Sequence, residues 1–271
     1  MYPLFELFGR EVGTYGLCAF IGVLVCAVVG FFLTRRKGIL IEDLIVNYAY
    51  ILSGMVLGGH ILYGITNIKL IVQLFANIKD YTFLKFIVAL FGGCFGGMVF
   101  YGGLIGGIIA LYLTVRFSAF SNPMMYDVLA VLIPLFHAFG RVGCAMAGCC
   151  YGIESDFGYT VHGNPVIPMV NDVNRFPVQL IEAGCNLIIF TVILVLYLKK
   201  RFPDRLLIVY FLIYPVVRFI LEFFRDDDYR GIVGGLSTSQ IISILLFAAA
   251  IIFSIVDHKR KGTSKGIEAK S

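Results

Sequence analysis

Residues Leu206–Phe224 read LLIVYFLIYPVVRFILEFF, an apolar run that is long enough to cross a lipid bilayer as a single helix. Within this run Tyr214, Arg218 and Glu222 recur at intervals of four residues, so a helix places all three side chains on one face. Charged side chains are costly inside a membrane and are therefore candidates for function there. The segment predicts both a membrane-spanning fold and a polar site inside it.

The composition of the whole chain agrees with this interpretation. Of the 271 residues, 59% are hydrophobic and only 14% are charged, whereas about a quarter of residues are charged in a soluble domain. The mean hydropathy is +0.89. A disordered chain and a collagen are excluded, and seven cysteines are too few for a disulfide scaffold of this length. The predicted class is an all-α integral membrane protein.

Apolar runs of membrane length recur about seven times and predict seven transmembrane helices. The third run exceeds the length of one crossing and is dense in glycine, so we expect it to be broken, kinked or tilted. The whole chain, residues 1–271, is predicted to form a single polytopic membrane domain with an outward-facing loop at about 147–177. The seven runs cover Tyr15–Thr34, Leu44–Gly64, Leu84–Leu113, Met124–Ala145, Val178–Leu198, Leu206–Phe224 and Ile241–Val256.

The positions of the basic residues predict the orientation. Clusters at Arg35–Lys37, Lys199–Arg201 and Lys259–Lys261 follow the first, fifth and seventh runs, which places them on one side of the membrane. Basic loops face the cytoplasm, so the N-terminus is predicted outside and the C-terminus inside. Most of the net charge of +5 is explained in this way, and no nucleic-acid partner is expected.

The fourth run carries a second charged group. His137, Arg141 and Cys144 share one helix face, and no carboxylate lies in helical register with Arg141. Arg218 and Glu222 alone are also compatible with a neutralising pair that only helps packing. Two arginines that approach the same end of the bundle suit a phosphate, which accepts the guanidinium fork. In a bilayer the expected phosphate is a phospholipid headgroup.

Glycines in the third run allow two interpretations. Spacings of four favour close helix packing in membranes. Alternatively, Tyr101–Leu104 is an unwound stretch that exposes backbone N–H groups to a ligand, which requires that it line a cavity. The glycine pairs are 92/96, 93/97, 102/106 and 103/107.

Cys144, Cys149 and Cys150 form a C-x4-C-C pattern, which matches no structural zinc motif. No metal is predicted from this pattern, although a zinc site with His137 is conceivable. Small apolar packing, a disulfide at an outward-facing end and a thiol or redox role all remain open.

Several short motifs occur in a fixed order along the chain, and together they identify a family. The chain resembles the bacterial phosphatidylglycerol–prolipoprotein diacylglyceryl transferases over nearly its whole length. The matching motifs are Tyr15-Gly16, Phe100–Leu104, Gly140–Gly143 with Gly148 and Gly152, Pro177–Glu182, the Tyr214, Arg218 and Glu222 ladder, and Leu236-Ser237 with Gln240.

The chain departs from the family pattern at several of these positions. Cys144, Ala147 and Cys149 stand where the family has two asparagines and a glutamate. Tyr101 replaces the family's histidine, and His60 replaces an arginine of the second span. The chain is therefore similar to a divergent, cysteine-rich branch.

The resemblance implies an activity in the bacterial cytoplasmic (inner) membrane. The diacylglyceryl group of phosphatidylglycerol moves to the lipobox cysteine thiol in the signal peptide of a preprolipoprotein, a thioether forms, and glycerol phosphate leaves. No cofactor is implied. The expected partners are phosphatidylglycerol, the preprolipoprotein and membrane lipids.

The resemblance also suggests residue roles. Arg141 would clamp the phosphate, and Arg218 would stabilise the leaving group. Tyr214 and Glu222 would orient Arg218. Tyr101 is a poor base near neutral pH, so His137 is our hypothesis for that role. The implied substrate-binding residues are Arg141, Tyr15, Gly102, Gly103, Gly143 and Gly152.

Two other functions fit the same sequence. A paralogous transferase would move a lipid-derived group to a different acceptor, with Cys149 or Cys150 as a covalent residue. A lipid-binding or transport protein would use the buried arginines without chemistry, although the hydropathy shows no clear inverted repeat.

Overall fold

The computed structural model describes residues 3–7, 9–97, 99–117, 124–226 and 231–268, and within them it is mostly helical. These residues form nine α-helices and three two-stranded pairings. The helices are α1 Thr14–Lys37, α2 Ile41–Thr66, α3 Ile68–Ala76, α4 Phe83–Val88, α5 Phe100–Phe117, α6 Met125–Ala147, α7 Val178–Leu198, α8 Leu206–Leu221 and α9 Thr238–Glu268. The strands are β1 Leu4–Leu7, β2 Arg10–Gly13, β3 Glu154–Thr160, β4 Asn174–Arg175, β5 Ile232–Val233 and β6 Leu236–Ser237.

Six helical segments among the described residues are long and apolar enough to cross a membrane. They coincide with six of the predicted runs, and α7 matches its prediction residue for residue. The prediction of an all-α integral membrane protein is confirmed. The orientation of the termini and the single domain over residues 1–271 stay predictions.

The third predicted run is divided. Its first part is α4, which continues as a π-helical segment at Ala89–Cys94, and α5 follows after an irregular stretch that begins at Phe95. The expected break is therefore confirmed, and it lies before Tyr101. The alternative in which Tyr101–Leu104 is unwound is wrong, because those residues form the first turns of α5.

The chain forms two compact units, and the first to be described contains Thr34–Pro123. In this unit α2 and α5 pack closely at their glycines. A Cβ added to Gly106 would overlap the carbonyl oxygen of Gly54, and one added to Gly102 would overlap that of Gly58. Only residues without a Cβ let two backbones approach this closely. Gly102 thus has a packing reason, as does Gly103, where an added Cβ would come 3.2 Å from the Met55 carbonyl oxygen. The expected contact of both glycines with a substrate stays a prediction.

The second unit contains Met1–Leu33 and Met124–Ser271, and α6 is its central helix. Within the best membrane-length window of α6 67% of residues are buried, against 22% for α1. Helices α7 and α8 both pack on α6, and α1 contacts it where Gly22 meets Phe139. A helix with neighbours on several sides can hold polar groups away from lipid, which is where membrane proteins keep their ionisable residues.

The segment that follows α6 folds over one end of this unit. Strands β3 and β4 pair around a small core of Tyr151, Val161 and Val170. Arg175 fastens the segment to the chain after α8, because its Nη1 donates to the Gly152 carbonyl at 3.1 Å and to Asp226 Oδ2 at 2.8 Å. The expected loop at 147–177 is thus an ordered cover with polar anchoring.

The glycine contact between α2 and α5 can be tested by a single methyl group. We expect Gly106→Ala to lower the free energy of unfolding by about 1–3 kcal/mol, the usual cost of overpacking. Gly184→Ala is the control, because a Cβ there meets nothing within 4 Å and alanine favours a helix. Thermal unfolding followed by the helical circular-dichroism signal measures both. Equal stability of the two variants would contradict the close packing.

Candidate active site

Glu182 is the centre of a buried polar cluster formed by α6, α7 and α8. The residue is only 1% exposed. Its Oε2 lies 3.1 Å from Arg141 Nε and 3.6 Å from Arg218 Nη1, so one carboxylate holds two guanidiniums. Its Oε1 accepts a hydrogen bond from the Tyr214 hydroxyl at 3.0 Å. A buried carboxylate requires such partners, because an uncompensated charge is strongly destabilising.

Arg218 links this centre to a second carboxylate. Its Nη2 lies 2.5 Å from Glu222 Oε2, as expected for residues one helical turn apart. The same nitrogen donates to Ser239 Oγ at 3.1 Å. Arg225 Nη1 lies 3.7 Å from Glu222 Oε2. Arg218 is therefore fixed from three sides, by α7, by its own helix and by α9.

The start of α9 explains how Ser239 reaches Arg218. Ser237 Oγ accepts the N–H of Gln240 at 3.2 Å, while Gln240 Oε1 accepts the N–H of Ser237 at 3.0 Å. This reciprocal capping box fixes where the helix begins. The sequence Ser-Thr-Ser-Gln thus sets the position of the Ser239 hydroxyl.

Arg141 is held differently from Arg218. It makes one ion pair, through Nε to Glu182, and its side chain is 12% exposed. Its two terminal nitrogens make no hydrogen bond or ion pair with the described residues. The carboxylate therefore orients the guanidinium and leaves its forked end available, which is the end that binds a phosphate in bidentate fashion.

His137 and Tyr214 complete the cluster on its inner side. The Tyr214 hydroxyl lies 3.3 Å from His137 Nε2, and the His137 imidazole is 3.9 Å from Glu182 Oε1. Because the hydroxyl donates to Glu182, we assign the imidazole proton to Nε2, which donates to the hydroxyl oxygen. Tyr214 thus contacts Glu182 and His137, whereas Glu222 is the residue that contacts Arg218 directly.

The remaining predicted residues of this unit lie near the same end of α6. Tyr15 packs over Gly143, where an added Cβ would come 3.2 Å from the tyrosine ring. Gly152 is enclosed by the carbonyls of Phe176 and Phe224, and its bridge to Arg225 joins the cover segment to the end of α8. Both glycines thus have packing reasons, and their contact with a substrate stays a prediction.

The residues predicted from the third run belong to the other unit. Gly102 and Gly103 lie in its helix contact, as described above. The backbone of Tyr101 is helical, and its side chain lies outside the described part of the structure.

Cys144, Cys149 and Cys150 come together at the C-terminus of α6. Gly148 adopts a left-handed conformation with φ 79°, and Cys149 N–H bonds back to the Cys144 carbonyl at 3.1 Å. This turn ends the helix and brings the three sulfurs within 4.8 Å of one another. Hydrogen bonds from Cys144 and Cys149 lower the pKa of the Cys150 thiol, and Arg225 and Arg141 act in the same direction. All six described cysteines are free.

Sequence reasoning did not identify Glu182, Ser239 or Arg225 as site residues. The signal for Glu182 was present, since a carboxylate inside an apolar run is as costly as an arginine. It had been recognised only as part of a family motif. Arg225 and Ser239 flank the ends of helices, where polar residues are common and carry no distinct signal.

A bundle of membrane-length helices that buries arginines around shared carboxylates defines an integral membrane protein with a buried polar cluster between its helices. The family model for prolipoprotein diacylglyceryl transferase matches residues 3–256. The chain belongs to this family, which confirms the resemblance, and it is therefore an enzyme of the transferase class.

Individual relatives support the same assignment. A phosphatidylglycerol–prolipoprotein diacylglyceryl transferase of Clostridium tetani is 32% identical over 261 residues, which cover 95% of this chain and 98% of that protein. A protein of Clostridium perfringens named phosphatidylglycerol–prolipoprotein diacylglyceryl transferase 2 is 33% identical over 266 residues, 95% of each chain. A Campylobacter jejuni transferase of the same name is 27% identical over 263 residues.

The central place of Glu182 can be tested through stability. We expect Glu182→Gln to lower the free energy of unfolding by about 3 kcal/mol, because two buried guanidiniums lose their shared negative charge. Glu154→Gln, at an exposed position of β3, is the matched control and should have no measurable effect. Thermal unfolding in detergent compares the two variants. Two unchanged melting temperatures would show that Glu182 does not hold the cluster together.

Proposed function

We propose that this protein transfers the diacylglyceryl group of phosphatidylglycerol to the lipobox cysteine of a preprolipoprotein. The observation that carries the proposal is the Arg141 guanidinium, which Glu182 holds through Nε at 3.1 Å while the terminal nitrogens stay uncommitted among the described residues. The family match and the names of the relatives supply the substrate pair.

The phosphodiester of phosphatidylglycerol is the group that Arg141 binds. It carries one negative charge, and its two free oxygens match the planar fork of a guanidinium. Few water molecules compete inside a buried cluster, so such a contact is stronger than at a surface. Tyr15, which packs over Gly143 two residues after Arg141, lies beside the headgroup.

The reaction is a displacement at the glycerol carbon that carries the phosphate ester. The thiolate sulfur of the acceptor cysteine forms a bond to this carbon, and the carbon–oxygen bond to phosphate breaks. Glycerol phosphate leaves with the electron pair, and the product is a thioether. Arg218 stabilises the charge on the departing phosphate, as preorganised donors do for developing anions, and the contacts with Glu182, Glu222 and Ser239 keep it in place.

The acceptor thiol must lose its proton, and His137 is the proposed base. A neutral imidazole that donates a hydrogen bond from one ring nitrogen can accept a proton on the other. What supports this role is the link from His137 through the Tyr214 hydroxyl to Glu182 at 3.3 Å and 3.0 Å. Tyr214 is then a positioning residue for the imidazole.

The cluster lies on the same side of the bundle as the cover segment that follows α6. With the N-terminus outside, this side is the outer leaflet of the bacterial cytoplasmic membrane, where an exported precursor presents its cysteine. Phosphatidylglycerol reaches the site from the surrounding lipid. The orientation follows from the basic clusters after α1, α7 and along α9.

A second candidate is a paralogous transferase that uses another acceptor. The observation that favours it is the cysteine cluster, since Cys144 and Cys149 replace an asparagine and a glutamate of the family motif. Expression in a strain depleted of its own diacylglyceryl transferase separates the two functions. Restored growth and lipoprotein modification support the first, and failure at normal expression supports the second.

The phosphate clamp predicts a large effect of Arg141. We expect Arg141→Ala to reduce transfer at least about 100-fold, the typical cost of removing one donor that stabilises the transition state. Arg141→Lys should recover little, because an ammonium cannot form the fork. The assay measures transfer from phosphatidylglycerol vesicles to a lipobox peptide, with Arg116→Ala, at an exposed position of α5, as the control. Full activity of Arg141→Ala would exclude the clamp.

The role of His137 predicts a loss of turnover in one variant. We expect His137→Gln, which can still donate a hydrogen bond to Tyr214, to lower kcat at least about 100-fold, because an amide cannot accept the proton of the thiol. Full activity would assign the base to another residue. A loss of binding with normal kcat would give His137 a positioning role only.

A further inference from the structure

The three clustered cysteines have no assigned part in the transfer reaction. Cys144 is buried at the last turn of α6, and Cys149 and Cys150 are half-buried after it. Their sulfur atoms all lie within 4.8 Å of one another. Around one metal ion with bonds of about 2.3 Å, three thiolates stand about 4 Å apart. A small rotation of the side chains would therefore bring the sulfur atoms close enough together to enclose an ion.

The backbone builds this arrangement before any ion arrives. The left-handed turn at Gly148 folds the chain back, and Asn164 fills the space where a side chain at Gly148 would lie. Gln179 Nε2 donates to the Cys149 carbonyl at 3.0 Å, and this bond fixes the chain after α6 to α7. Cys150 itself has a positive φ of 56°. A site fixed in advance loses less entropy when it binds a ligand.

The composition of the cluster indicates the class of ion. Among the described residues the group contains three sulfur donors and no histidine or carboxylate. Soft thiolate ligands select Cu+ over the harder divalent ions, whereas a structural zinc site requires four ligands. Three thiolates around Cu+ carry a net charge of about −2. The positive charges of Arg141 and Arg225, which act on Cys150, offset this charge.

We propose that Cys144, Cys149 and Cys150 form a three-thiolate site for a soft monovalent metal ion of the Cu+ class. The site uses different ligand residues from the Glu182 cluster, and the charge of Arg141 in the last two turns of α6 acts on both. Its existence does not depend on the proposed transfer reaction, because the test measures metal binding.

The test uses the purified full-length chain in detergent, reduced and kept without oxygen. Cu+ is supplied as a coloured complex with a competing chelator, and the loss of colour reports transfer to the protein. We expect the wild-type chain to remove one equivalent of Cu+. Cys144→Ser, Cys149→Ser and Cys150→Ser should each weaken binding at least about tenfold, since each removes one of three ligands.

Matched controls separate the cluster from the other thiols. Cys18→Ser and Cys185→Ser alter free cysteines outside the cluster and should bind Cu+ as tightly as the wild type. X-ray absorption of the loaded protein should show a first shell of three sulfur atoms. Helical circular dichroism checks that each variant is folded, and alanine variants replace any serine variant that is not.

Several results would overturn the proposal. The wild type could fail to take Cu+ from the chelator, or the triple serine variant could bind as well as the wild type. Cys185→Ser could weaken binding as much as Cys149→Ser.

Discussion

A carboxylate that is 1% exposed inside a membrane-spanning bundle must be neutralised by its surroundings, and Glu182 sets this requirement for the whole site. Its two oxygens are satisfied by groups from two other helices, Arg141 on α6 and Arg218 and Tyr214 on α8. Moving either helix would leave a buried charge without a partner. The same contacts that hold α6, α7 and α8 together therefore aim the two arginines, so stability and site geometry have one cause.

Around this centre, local sequence devices fix the remaining parts. The Ser237 capping box starts α9 so that Ser239 reaches Arg218. The left-handed Gly148 ends α6, and Arg175 fastens the cover segment to Asp226 after α8. Each of these features involves only a few residues, and each fixes a backbone position next to the cluster. Preorganisation of this kind is what electrostatic catalysis requires, because the donors need not move during the reaction.

How far the sequence could predict this structure depends on the range of each interaction. Hydropathy predicts the membrane helices well, because each helix satisfies its own backbone in lipid, and α7 was predicted at both ends. The convergence of Arg141 and Arg218 was expected from their common end of the bundle. The contact of Glu182 with both arginines was not predicted, because helical periodicity describes the faces of one helix and not its register against another helix. For Gly102 and Gly103 the same four-residue spacing fits both packing and an unwound ligand site. The helical backbone of α5 decided against the unwound site, and the neighbours Gly58 and Met55 show the packing.

The most direct test of this account is an experimental structure of the protein with phosphatidylglycerol bound. We expect the phosphate oxygens within about 3 Å of the terminal nitrogens of Arg141, as in bidentate arginine–phosphate pairs, while Nε stays on Glu182. Arg218 should retain its contacts with Glu182 and Glu222 and face the ester oxygen of the leaving group. A phosphate bound elsewhere in the bundle, with Arg141 still paired only to Glu182, would contradict the account.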